Sequence, residues 1–329
     1  MDSAIEPMEA RAVAAIPEGP GWQYEPKWDG FRCLVFRDRD AIELRSKSGQ
    51  PLARYFPDLV AALREVSATR FVLDGELVIP MDDGTLSFEE LQMRLHPAES
   101  RVRKLAAAHP ARLMLFDMLL APDGTTLVER SLAERRSALE AAMPTLSHPA
   151  VALSPASYDI AQAQAWLHAL GTGRDGVVAK RLDLPYRAGR RDGMAKIKLV
   201  RSADCVVGGF RYLAKQPGVG SLLLGLYDDA GLLDHVGFTS TIAAAERAAL
   251  TQRLETLIEP PGFTGAAPGG PSRWSNARSA EWQPLRPELV VEVQFDHVSG
   301  GRFRHGTTLL RFRPDKAPQQ CRMEQLGQP

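Results

Sequence analysis

Near residue 203 the sequence changes character, and any fold for the chain has to contain two kinds of region. Before that point helix-like and strand-like segments alternate. Beyond it "DCVVGGFRYL", "SLLLGLYDD", "GLLDHVGFT" and "ELVVEVQFDHV" are strand-like runs of similar length, punctuated by Gly and Asp. One helical segment, "AAAERAALTQRLETL", interrupts them. Short strands bounded by turn residues build antiparallel sheets, and a small closed barrel removes the exposed edges they would otherwise leave. The expected arrangement is an α+β domain over residues 1–202, then an all-β domain of the OB-fold kind over residues 203–329. The Gly/Pro/Ser-rich "PPGFTGAAPGGPSRWS" reads as a long loop inside the second domain.

In the first region "FRCLVFRD" and "AIELRSKSG" predict a β-hairpin, and "RFVLDGELVIP" a strand bounded by Pro80. "LARYFPDLVAALREV" has the apolar spacing of a helix, as does the segment containing "AQAQAWLHALG". "SFEELQMRL" and "SLAERRSALEAAM" each open with a capping box, Ser87 with Glu90 and Ser131 with Glu134. "ARLMLFDMLL" and "DGVVAKRL" are apolar runs of strand length.

With 44% hydrophobic and 24% charged residues among 329, the chain reads as globular, with room for about two domains. It has no apolar run of membrane-spanning length, and "MDSAIEPMEARAVAAIP" lacks the basic start of a secretion signal, so a cytoplasmic protein without a membrane role is expected. Cys33, Cys205 and Cys321 have neither zinc-site nor disulfide-framework spacing. Net charge is zero, yet ten Lys and Arg stand against three acids from Lys180 to Lys215, and six against one from Arg302 to Arg322. Such clustering suits a face that tracks phosphates, although any one cluster also fits a solvated surface.

The densest chemistry is "YEPKWDGFR", residues 24–32. No P-loop, dinucleotide fingerprint, HExxH or GxSxG is present, so an enzyme here needs another device. A lysine among other cations and a metal is a plausible nucleophile, because such neighbours favour its neutral amine. Attack on phosphorus also requires carboxylates for a divalent cation and further cations for the developing charge. "LDGEL" supplies Glu76, "RDGVVAK" supplies Asp175, and "MAKIKLV" places Lys196 and Lys198 two apart, which on a strand is one face. Taken singly, each also fits a turn or a solvated strand.

Taken in order, KWDGxR, RSKSG, LDGE, LFD, DGVVAK and KIK resemble the nucleotidyltransferase motifs of the ATP-dependent DNA ligases. "RFRHG" and "LLRFRPDKAP" look like the closing motif on the ligase OB domain, and "RSADCVVGGF" is similar to the small two-domain bacterial group, ligase C. The resemblance implies an ATP-grasp-like nucleotidyltransferase (adenylation) domain with antiparallel sheets, then the OB-fold. It implies that Lys27 attacks the α-phosphate of ATP and carries AMP, with Mg²⁺ or Mn²⁺ as the metal. Glu25 would lie by the adenine amino group, Phe116 would stack on the base, and Arg32 and Arg45 would bind ribose or phosphate. Glu76 and Asp175 would position metal and nucleotide, Lys196 and Lys198 would contact the α-phosphate, and Arg313, Asp315 and Lys316 would orient the leaving pyrophosphate. The family usually has glutamate at the position of Asp175, so this shorter side chain could reach the metal through water.

Nicked duplex DNA is the partner the resemblance implies, bound by a nucleoid-associated monomer acting in repair, with a repair polymerase as a further partner. An RNA ligase or capping-type nucleotidyltransferase is the second enzyme reading, and a catalytically silent OB-containing nucleic-acid binder is the reading from another class. His297 and His305 are expected to be structural or solvent-facing.

Overall fold

The computed structural model describes residues 5–169, 174–198, 200–214, 217–269 and 281–327. The chain divides into two compact units, Met1–Leu199 and Val200–Pro329. The expected boundary at 202 falls inside a strand that begins at Arg201, so the division lies just ahead of it.

Two sheets build the first unit. One has five strands: β3 (Phe31–Asp38), β4 (Ala41–Ser46), β5 (Arg70–Val78), β6 (Arg112–Leu120) and β7 (Val151–Leu153), in the order β4-β3-β5-β6-β7. The other has four: β1 (Arg11–Ala12), β2 (Trp22–Trp28), β8 (Arg174–Arg181) and β9 (Met194–Ile197), ordered β1-β9-β8-β2. Pairing is antiparallel as expected, except that β7 joins β6 and β1 joins β9 in parallel. Both exceptions are short edge strands, too short to show in the pattern of apolar residues.

Alternation along the strands separates two faces of the five-stranded sheet. Cys33, Val35, Leu73, Leu77, Leu113 and Leu115 belong to the main core, beneath α1 (Pro57–Glu65), α2 (Phe88–Met93) and α4 (Leu132–Ala142), while α3 (Glu99–Ala108) packs against α1. Leu34, Phe36 and Val72 belong to a second cluster with Met8, Tyr186 and Met194, which joins this sheet to the four-stranded one. The face carrying the second cluster also carries Arg32, Asp74 and Glu76, because Arg32 lies two residues from Leu34, and Asp74 and Glu76 two and four residues along from Val72.

Helix ends follow local chemistry. Ser131 and Glu134 form a complete capping box on α4, whereas at α2 Ser87 accepts from the Glu90 backbone without the reciprocal bond. The single helix expected across 52–66 is instead a 3₁₀ turn, Ala53–Tyr55, followed by α1 starting at Pro57; proline has no N–H to continue a helix but suits its first position. The segment containing "AQAQAWLHALG" forms α5 (Ile160–His168), capped by Asp159.

The second unit is an antiparallel sheet of β10 (Arg201–Tyr212), β11 (Val219–Tyr227), β12 (Leu233–Thr239), β13 (Gln283–Pro284), β14 (Val290–Phe295) and β17 (Thr308–Phe312), with α6 (Arg247–Glu255) as the inserted helix. A small ribbon, β15 (Val298–Ser299) with β16 (Arg302–Phe303), precedes β17. The order runs β12-β11-β10-β14-β17, and its two ends meet where Thr239 bridges Thr307 and the Thr307 N–H donates to the Phe238 carbonyl at 3.0 Å. The sheet therefore closes on itself around an apolar core that includes Val206, Leu224, Val236 and Val291. Residues 270–275 of the Gly/Pro/Ser-rich loop lie outside the described residues. The three cysteines are buried thiols.

Arg135 and Asp117 are both buried and exchange two hydrogen bonds, at 2.8 and 3.0 Å, while Arg135 also donates to the carbonyls of Arg130 and Leu184. Removing one partner of such a pair strands the other charge. Arg135→Ala is expected to lower unfolding free energy by about 3–5 kcal/mol, read from urea melts.

Candidate active site

Lys27 stands at an irregularity in its strand. The β2·β8 register runs evenly from Trp22↔Arg181 to Pro26↔Val177, then shifts before Trp28↔Arg174. A bulge of this kind re-aims one side chain. Lys27 points into a cavity of about 380 Å³. Across the four-stranded sheet, Ala12, Lys196, Val178 and Glu25 sit in one row, and all four line that cavity.

At the buried end Glu25 accepts from Lys180 at 2.8 Å and from Gln23 at 2.8 Å. Lys180 also lies 4.4 Å from the centre of the Phe116 ring, and Arg32 is 4.5 Å from the same centre. Both cations lie within cation–π range of the Phe116 ring. Arg32 is held by Asp74 through two bonds, at 2.5 and 2.6 Å, and Asp74 accepts a third from the Tyr186 hydroxyl at 2.6 Å. Burial alone would lower the Arg32 pKa; Asp74 more than offsets this and raises it. Burial first, then the Asp74 charge, raise that of Tyr186.

Asp175 bridges two lysines, 2.7 Å from Lys27 and 3.0 Å from Lys198. Burial works against its ionisation, but the two ammonium groups hold its pKa below the usual range. Lys196 lines the cavity while Lys198 lies just past the end of β9, so the two enter the site from different depths. Burial and then the charges of Lys27, Lys198 and Lys47 lower the Lys196 pKa. Glu76 is reachable by water yet ringed by protein; this burial raises its pKa to about 7, with Arg32 and Lys27 opposing and Asp74 and Asp175 reinforcing the shift.

Two expectations land elsewhere. Arg45 does not line the cavity; it pairs with Glu43 at 2.5 and 2.8 Å and stacks 4.9 Å from the Phe36 ring, while Lys47 from the same motif lines the cavity instead. Arg313, Asp315 and Lys316 form a network within their own unit: Asp204 accepts from Arg313 at 2.9 Å and from Lys316 at 2.6 Å, and Asp315 pairs with Arg313 at 2.8 Å. Of the histidines, His305 lies 3.1 Å from the Asp296 carboxylate at the surface, a pairing that sequence spacing did not reveal.

Several contributors were not singled out in the sequence. Asp74 and Lys180 lie inside quoted motifs, "LDGEL" and "DGVVAK", but Tyr186 has no local signal at all. The amino-terminal segment is the largest omission: Pro7, Met8, Glu9, Ala10, Arg11 and Ala12 wall the cavity. Its backbone is tied down, with the Met8 N–H donating to the Tyr186 hydroxyl at 3.0 Å, Glu9 N–H to the Arg190 carbonyl at 2.8 Å and Val13 N–H to the Lys196 carbonyl at 3.1 Å.

A buried aromatic wall, a lysine in a cationic cavity and a closed β unit are the parts an adenylating enzyme needs. Residues 7–198 match the ATP dependent DNA ligase domain family, and residues 215–316 match the ATP dependent DNA ligase C terminal region. The chain belongs to the ATP-dependent DNA ligases. It is 45% identical over 341 residues to DNA ligase C2 of Mycolicibacterium smegmatis, covering 99% of this chain and 95% of that one. With DNA ligase C of Mycobacterium tuberculosis the identity is 43%, covering 99% and 94%. The solved ligase domain of M. tuberculosis LigD superposes with a TM-score of 0.53 at 29% identity, covering 98% and 99%. This is an ATP-dependent DNA ligase of the small bacterial kind.

In this ligase the Glu76 carboxyl holds its proton more tightly when folded than when unfolded. Its contribution to stability is complete below pH 4.5, the unfolded value, and is lost as pH rises through about 7. Glu76→Gln removes that titration, so the Tm of the variant should exceed that of wild type by several degrees at pH 8, and the gap should close at pH 4.5 in paired thermal melts. Tyr186→Phe deprives Asp74 of a buried donor and leaves the Met8 N–H unsatisfied. It should reduce affinity for AMP about three- to tenfold by titration calorimetry.

Proposed function

We propose that this ligase seals nicks in duplex DNA through a lysyl-AMP intermediate on Lys27. The observation that carries the reading is Lys27 at a strand bulge, aimed into the cavity that Phe116 walls and bridged to Lys198 by Asp175. In the first step the Lys27 amine, having released a proton to solvent, attacks the α-phosphorus of ATP. The N–P bond forms, the bond from that phosphorus to the bridging oxygen breaks, and the electron pair leaves with pyrophosphate. AMP then passes to the 5′-phosphate of the nick, and the adjacent 3′-hydroxyl displaces it to join the strand. All three steps are phosphoryl transfers governed by positioning and charge, so one set of cations serves them.

The base stacks on Phe116, its amino group faces Glu25, and the ribose lies against Arg32, which Asp74 holds rigid. Lys196 and Lys198 take the charge that develops on the α-phosphate oxygens. Arg313, Asp315 and Lys316 orient the leaving pyrophosphate, since the carboxylate that now holds both cations, Asp204, is a bond pattern phosphate oxygens can replace. Arg45, held by Glu43 beside Phe36, acts on the 5′-phosphate of the nick rather than on ATP. Glu76 and Asp175 suit Mg²⁺ or Mn²⁺, which take a hard oxygen set of one or two protein carboxylates completed by substrate phosphates. Among the described residues no cluster of three or more potential metal ligands occurs. Either cation would neutralise phosphate charge.

The substrate's phosphates meet the basic stretches around residues 180–215 and 302–322, so binding is insensitive to sequence and weakened by salt. No helix among the described residues is long and apolar enough to cross a membrane. We place the enzyme in the cytoplasm at the nucleoid, as a monomer working in repair beside a polymerase. Protein freed of bound AMP and incubated with α-labelled ATP and Mg²⁺ or Mn²⁺ should become labelled, Lys27→Ala should not, and nicked duplex DNA should discharge the label while nicked RNA discharges it at least tenfold more slowly. Absence of label from wild type with either metal defeats the proposal.

A further inference from the structure

Two carboxylates each hold a pair of cations at this site. Asp175 serves Lys27 and Lys198 beside the nucleophile. Glu9 serves the other set, with one oxygen 3.0 Å from Lys47 and the second 2.8 Å from Arg191. The exposures locate this second set: the Lys47 and Arg191 side chains are 57% and 68% exposed, against 6% for Lys180 at the adenine end. Lys47 nonetheless acts electrostatically on Lys196, so it stands within range of the lysines that handle the α-phosphate. The backbone that carries Glu9 is tied down, with Glu9 bonded to Arg190, Met8 to Tyr186 and Val13 to Lys196, so the carboxylate is tethered beside both cations. A polyphosphate at this end of the cavity needs the same cations, and the carboxylate competes for them.

We infer that Lys47 and Arg191 form the subsite for the β- and γ-phosphates of ATP, and that Glu9 occupies this subsite in their absence as an internal substitute for pyrophosphate. The inference rests on the lysyl-AMP reading above. ATP displaces Glu9 when it binds, whereas AMP, which lacks the outer phosphates, leaves it in place. Once the α–β bond has broken, Glu9 returns to Lys47 and Arg191 at the high effective concentration of a tethered group and promotes departure of pyrophosphate. The same contact resists reversal, in which a pyrophosphate oxygen attacks the phosphoramidate phosphorus, the N–P bond breaks with its electron pair returning to Lys27, and ATP re-forms. Glu9 thus favours the forward direction of the first step at the expense of affinity for ATP.

The test uses full-length protein stripped of AMP, with Glu9→Gln, Lys47→Met/Arg191→Met and the triple variant. For each, the KM of ATP in lysyl-AMP formation and the inhibition constants of pyrophosphate and of AMP are measured. Glu9→Gln should lower the ATP and pyrophosphate constants about three- to tenfold, the scale of two partly exposed ion pairs, and move the AMP constant by less than about twofold. In the Lys47→Met/Arg191→Met background the same substitution should change nothing. Unchanged or weaker ATP and pyrophosphate binding in Glu9→Gln overturns the inference, as does equal tightening of AMP, or an undiminished effect in the double-Met background. If wild type forms no lysyl-AMP, the underlying reading fails as well; if it does and Glu9→Gln has no effect, only the inference fails.

Discussion

Charge compensation inside a half-enclosed cavity governs this molecule. Asp175 holds Lys27 and Lys198, Asp74 holds Arg32, Glu25 holds Lys180, and Glu9 holds Lys47 and Arg191. Cations taken out of water are costly unless each meets a counter-charge, yet a phosphate-handling site needs them concentrated. Pairing most of them with a carboxylate, in a geometry that phosphate oxygens can take over, meets both demands. The carboxylates come from both sheets and from the amino-terminal segment, so the site is assembled only when all three are in place.

The same logic separates rigid from exchangeable contacts. Glu25–Lys180 and Asp74–Arg32 are deep, and Asp74 is further secured by Tyr186. They hold the two cations beside the Phe116 ring in fixed positions. Asp175 and Glu9 each bridge two cations instead, and in the proposed reaction those contacts are given up to phosphate. In the second unit Asp204 repeats the pattern, holding Arg313 and Lys316 by a single carboxylate.

Much of this was legible from local chemistry. The strand at "RFVLDGELVIP", the capping box at Ser131 and the run of β segments after residue 203 follow from periodicity and turn residues, which act over a few positions. The motif lysines and Glu76 were legible for the same reason, since ordered short motifs survive without three-dimensional information. Pro57 dividing an expected helix was also readable, and its effect was underestimated. The two parallel edge strands were not, because strands this short carry no period.

Residue order alone settled which groups are available: Lys27, Glu76, Asp175 and Lys196 on strands, and Lys198 just past the end of one. Tertiary structure alone decided their partners. That Lys47 rather than Arg45 lines the cavity, that Tyr186 secures Asp74 from 112 residues away, and that residues 7–12 wall the nucleotide site all depend on packing two sheets together. An ion pair is a through-space contact whose strength depends on distance and burial, and neither quantity is written in the spacing of residues along a chain.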